Sequence, residues 1–155
     1  MRILDHTSRV HFEGLSWRDW VWICVLADAA GHSLTGSLAP RDYDAERRGH
    51  WRGEPWAVPC RLSAAAAARL REVLRAEAPH IPGPAAGHPS EVGGPALRLE
   101  DVALPAEIRS QIGSGYASTV VFVSPRYSLR GKAREVQNLL AFLEARDGEL
   151  ELVHS

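Results

Sequence analysis

The residues with the most chemical potential lie where an apolar run meets a helix. Ser124, Arg126, Ser128, Arg130 and Lys132 crowd one short turn, with Arg134 just inside the helix that follows. A helix N-terminus presents unpaired N–H groups and a partial positive charge, so hydroxyls and cations added there suit an anion. Cations at that end disfavour the helix itself by a few tenths of a kcal/mol each, roughly, and this local conflict marks the turn. It is not a P-loop, because Gly131-Lys132 is followed by Ala133 and the upstream glycine is missing. A plain basic turn, paired with Glu135 or another carboxylate, is the competing reading.

A second stretch runs from Arg41 to Glu54. Tyr43, Arg47, Arg48, Trp51 and Arg52 are interleaved there, with Trp56 close behind. Trp, Tyr and Arg dominate protein–protein hot spots because each buries much surface at low entropic cost. Aromatic and basic residues also suit single-stranded nucleic acid. Here Asp42, Asp44, Glu46 and Glu54 offset Arg41, Arg47, Arg48 and Arg52, and they would repel phosphates. The pattern therefore favours a protein partner. The alternative is that Trp51 folds back over the core.

The remaining candidates are weaker. His6, His11, His32, His50, His80, His88 and His154 are scattered, and none forms the i, i+4 pair of a helical metal site. No metal and no cofactor are expected. Gly31-His32-Ser33-Leu34-Thr35-Gly36 has one residue too many for a nucleophile elbow and the wrong structural setting. Ser114 between two glycines reads as a turn, and Glu100-Asp101 as an exposed pair. No catalytic constellation emerges.

The whole-chain balance narrows the classes further. At 155 residues and a formal net charge of −1, the chain suits one domain with no global basic field. Nucleic acid is disfavoured on that ground. The 18 basic residues include a single lysine, Lys132, an arginine-rich balance of bacterial type. Cys24 and Cys60 sit in apolar surroundings and read as buried, reduced thiols. The N-terminus lacks the apolar region of a signal peptide, and no run approaches the ~20 residues of a membrane span. The expectation is a cytoplasmic protein.

The elements that must position these residues follow from periodicity. Thr119–Val123 has no polar face and predicts a strand covered on both sides. Val136, Leu139, Leu140 and Leu143 recur at i, i+3, i+4, i+7, a helix facing the core. Val10–Glu13 alternates as a short strand. Trp20–Ala27 is apolar on both faces, and its β-branched and aromatic content favours a hairpin with Ser33–Leu38 across Asp28-Ala29-Ala30-Gly31. A helix capped by Ser16 is the alternative there. Trp56–Leu62 predicts a strand that Pro59 confines to an edge or bulge. Ser63 predicts the cap of a helix from Ala64 to about Ala78, with Leu70, Val73 and Leu74 inward and Arg69, Arg71 and Arg75 outward. Residues 79–96, rich in Pro and Gly, predict an exposed, mobile connector. Leu97–Val102 predicts a strand, Pro105–Ile112 a short helix, and Glu149–Val153 a half-exposed last strand.

The expected fold is α+β: one domain, a mixed sheet, an N-terminal antiparallel meander and a C-terminal βαβαβ portion with some parallel pairing. The expected function is a non-catalytic binding protein acting on a protein partner through Tyr43, Arg47, Arg48, Trp51 and Arg52. An antitoxin-like, accessory or adaptor role fits such a chain. The alternative is an enzyme or sensor that binds a phosphate-bearing small molecule at the 124–132 turn.

Overall fold

The computed structural model describes residues 1–34, 60–104, 106–113 and 121–153. Six strands and five α-helices alternate along them: β1 (Arg2–Asp5), β2 (Val10–Glu13), α1 (Trp17–Ala29), β3 (Cys60–Leu62), α2 (Ala64–Glu77), β4 (Leu97–Arg98), α3 (Ala106–Gly113), β5 (Phe122–Val123), α4 (Pro125–Ser128), α5 (Ala133–Glu144) and β6 (Leu150–Val153). The expected α+β class and single domain are what is found.

The helix α1, the alternative reading, stands where the first strand of the hairpin was favoured, while residues 35–38 of its second strand lie outside the described residues. Ser16 and Asp19 form a reciprocal capping box, the Ser16 hydroxyl accepting from the Asp19 N–H while the Asp19 carboxylate accepts from the Ser16 N–H. At the other end Gly31, at φ +81°, donates to Asp28 O, and His32 donates to Ala27 O. That pair of bonds is a Schellman motif, so the Asp28–Gly31 turn signal closes a helix. Between the caps, every residue from Asp19 to Ala27 is buried. Val21, Ile23 and Val25 are poor helix formers by about half a kcal/mol each. Full burial of such a side chain is worth about 1.5–3 kcal/mol, so packing outweighs propensity.

A four-stranded sheet in the order β2-β1-β6-β3 lies against the helices. Ile3 is in register with both Phe12 and Leu152, and Leu62 with Leu150. These five side chains are buried, while Arg2, His11, Glu13, Arg61 and Glu151 occupy the other face. One face is packed and one wet, as antiparallel sheets allow. β1 carries no clear alternating pattern because its second inward residue is Asp5, and its strand character went unread in the sequence. Val10 of β2 is 43% exposed, so only Phe12 of that strand packs inward.

The described pairings are all antiparallel, unlike the parallel component anticipated after Leu97. The physical reason is that β4 and β5 pair with each other in a separate two-stranded sheet and never enter the main one. β4 is also shorter than expected, since Leu99–Asp101 tightens into a 3₁₀ turn. Of the Thr119–Val123 run, residues 119 and 120 lie outside the described residues. Val123 is buried but Phe122 is 64% exposed, so this strand is covered on one side only.

The two long amphipathic helices match their sequence periodicity. Ala67, Leu70, Val73 and Leu74 of α2 are buried, as are Val136, Leu139 and Leu143 of α5. The Ser63 hydroxyl accepts from the Ala66 N–H as anticipated. Arg71 departs from the outward placement expected of it. Its side chain is only 16% exposed and donates to the carbonyls of Leu143 and Arg146 at the C-terminal end of α5. A guanidinium there satisfies carbonyls left without helical partners.

Candidate functional site

The basic turn begins at Ser124, which precedes the four-residue helix α4 and makes no side-chain cap. Buried Pro125 opens α4 with its fixed φ, and the Ser128 N–H donates back to Ser124 O at 2.9 Å. Leu129 is fully buried and anchors the turn to the core. Gly131, at φ +76°, reverses the chain. Lys132 then precedes α5, its carbonyl accepting from the Val136 N–H. The turn thus sits against α1, on which α4 packs.

Its cations are turned towards the protein itself. Arg126 makes a forked pair with Glu77, Nε to Oε2 at 2.6 Å and a terminal nitrogen to Oε1 at 3.3 Å. Both side chains are about one-sixth exposed, at 16% and 17%, which makes this a shielded, charge-assisted contact. Lys132 Nζ lies 3.9 Å from Asp19 Oδ2, the same carboxylate that caps α1. Arg130 donates to the carbonyl of Tyr127 and lies 4.3 Å over that residue's ring. Such a contact is worth about 0.5–1 kcal/mol at an exposed site. The Tyr127 hydroxyl donates to Gly87 O at 3.1 Å, and the Gly131 N–H to Pro82 O at 2.9 Å.

The five anion-site candidates are therefore brought together in one turn, as their spacing required, but Arg126 and Lys132 face internal carboxylates. Sequence reading placed the basic residues and missed their partners. Glu77 is 49 positions from Arg126, and Asp19 lies in the first turn of α1, where a helix was only the alternative to the favoured hairpin. No local spacing rule connects either pair. Tyr43, Arg47, Arg48, Trp51 and Arg52 lie outside the described residues.

Among the described residues the histidines do not converge. His6 meets Glu151 at 2.5 Å, His11 meets Glu13 at 3.5 Å, and His32 meets Glu72 at 3.9 Å. His88 bonds Ser90 within its own 3₁₀ turn. Among the described residues no group of three or more His, Cys, Asp or Glu is arranged to hold a metal ion. The Cys24 thiol is buried within α1. Among the described residues no helix is long and apolar enough to cross a membrane.

A second polar cluster ties the β1–β2 turn to the end of α5. Asp5 accepts from the Ser8 hydroxyl at 2.5 Å and from the N–H groups of Thr7 and Ser8 at 2.9 and 3.3 Å. Arg146 lies 3.3 Å away and stacks 3.8 Å from the Phe142 ring. The Ser8 hydroxyl, helped by the two N–H groups and Arg146 and opposed by burial, holds the Asp5 carboxyl below its ordinary 3.8. This cluster closes a turn around bonded partners and has the character of a structural clasp.

Compared with known proteins, the chain matches no family model, no curated protein and no solved structure.

Proposed function

We propose that this chain is a non-catalytic binding protein that contacts a protein partner through Tyr43, Arg47, Arg48, Trp51 and Arg52. The observation that carries the reading is the composition of residues 41–54, four arginines balanced by four carboxylates around Tyr43 and Trp51. Electroneutrality there weakens any attraction to phosphate, while the aromatic rings and guanidiniums supply hot-spot chemistry. The geometry of the basic turn supports the same choice. Arg126 is committed to Glu77 and Lys132 faces Asp19, so a phosphate at that turn would compete with carboxylates already in place. An antitoxin-like, accessory or adaptor role in the cytoplasm is consistent with a contact segment on a small α+β domain.

The test is site-specific photo-crosslinking in the source cell, with the reactive group placed at Trp51 and, as a control, at exposed Arg134 on α5. A discrete protein adduct is expected from Trp51 alone. It should disappear when Arg48→Ala and Arg52→Ala are added, with the thermal midpoint unmoved. Identical adduct patterns from the two positions would reject the assignment.

A further inference from the structure

Residues 82–94 bury no side chain, although both ends are anchored by the core. Ile81 is 6% exposed and Leu99 8% exposed, and between them Pro82, Ala86 and Val92 are at most partly covered. A stretch of this length without buried apolar surface gains almost nothing from the hydrophobic effect. Its position depends on the polar contacts it makes. Several bonds lie within the stretch itself, as between Gly87 and Glu91 and between His88 and Ser90. The two described hydrogen bonds that leave it both run to the 125–131 turn.

Hydrogen bonds and close packing join the two segments. The Gly131 N–H donates to Pro82 O at 2.9 Å, and the Tyr127 hydroxyl donates to Gly87 O at 3.1 Å. A steric contact adds to these bonds. Gly94, at φ +102°, lies so flat on the Arg126 side chain that a Cβ there would fall 2.6 Å from Nε, 2.7 Å from Cδ and 2.8 Å from Cζ. Gly93 approaches the same guanidinium, and Pro84 packs over Gly131. Arg126 is itself held in place from below by the fork to Glu77.

We infer that residues 82–94 are a strap that opens and closes over the 125–131 turn as one unit, with Arg126 as its latch. Closed, the strap occupies the Tyr127 hydroxyl and the Gly131 N–H. Open, it releases both and uncovers the guanidinium face while the helices beneath stay folded. Regions with few buried apolar contacts open well below the global unfolding free energy, in contiguous units. Glu77 acts as a positioning residue, since it fixes the guanidinium plane on which Gly94 rests.

Amide hydrogen exchange on the full chain tests this, with Gly131 as the reporter because its bond crosses from body to strap. Gly94→Ala attacks the contact from the strap side and Arg126→Ala from the body side. Each should speed exchange at Gly131 and across the strap amides by roughly tenfold or more, with Trp22–Leu26 and Leu70–Leu74 unchanged. Tyr127→Phe should give a smaller rise at the same amides. Gly94→Ala decides the matter where Arg126→Ala lowers the stability of the whole molecule. Unchanged exchange at Gly131 in Gly94→Ala would overturn the latch, and so would a rise shared equally by α1 and α2.

Discussion

At the scale of single residues, the backbone singles out Arg9. Its φ of +56° places it in the left-handed region, where a Cβ crowds the following carbonyl. Replacing it with glycine removes that crowding but loosens the unfolded chain, so Arg9→Gly should stabilise by about 0.5–1 kcal/mol net. Urea unfolding of the two proteins measures it directly. Asp5, four positions earlier, gives a pH signature. A carboxyl held below its ordinary value in the folded state adds stability above that value and loses it as pH falls through the folded-state value. Wild type should therefore exceed Asp5→Asn in stability at neutral pH. The gap should narrow once pH drops below 3.8, the ordinary Asp value from which this carboxyl is lowered. Denaturant midpoints collected across acidic pH would show the convergence, and a constant gap would refute the linkage.

At the scale of elements, the most instructive case is α1. Its apolar run gives no amphipathic contrast, and helix and strand were separable only by the end signals. Ser16 with Asp19, and Asp28 through Gly31, are those signals, and in retrospect they outweigh the β-branched content between them. A residue buried on every side is indifferent to period, so the caps decide. Ser16→Ala should cost about 1 kcal/mol, because it leaves the Asp19 N–H without its acceptor at the mouth of a buried helix. Calorimetry would reveal this as a lower midpoint. In α2 and α5 the polar face is present, and periodicity alone located the buried stripe. The strand content was harder to read, since β4 and β5 are two residues each and β1 turns a carboxylate inward.

At the scale of the whole molecule, the first and last strands lie side by side. β1 pairs with β6, and β6 also pairs with β3, so the chain ends are tied into the centre of the sheet. The clasp of Asp5 with Arg146, and of Arg71 with the end of α5, fastens the same region. A core shared this way should unfold as one cooperative unit. Helical circular dichroism and calorimetric heat should give coincident transitions, with a van't Hoff enthalpy equal to the calorimetric one. Separate transitions would indicate two subdomains divided by the 79–96 connector. The strap in that connector is expected to open locally without disturbing this transition, because it contributes little buried area.

The amino-acid sequence on its own determined the α+β class, the ends of α2, the inner faces of α2 and α5, and the gathering of five polar and basic residues into the 124–132 turn. It also determined the edge-or-bulge placement forecast for Trp56–Leu62, of which the described Cys60–Leu62 form an edge strand. Those features are local: a cap, a period, a proline, or neighbours a few positions apart. Only the tertiary structure decided that Arg126 meets Glu77, that Lys132 meets Asp19, that Gly94 rests on a guanidinium, and that the last strand sits between the first and the third. Each of these joins residues tens of positions apart. Charge and shape become complementary there only after the buried helices have fixed where the chain returns.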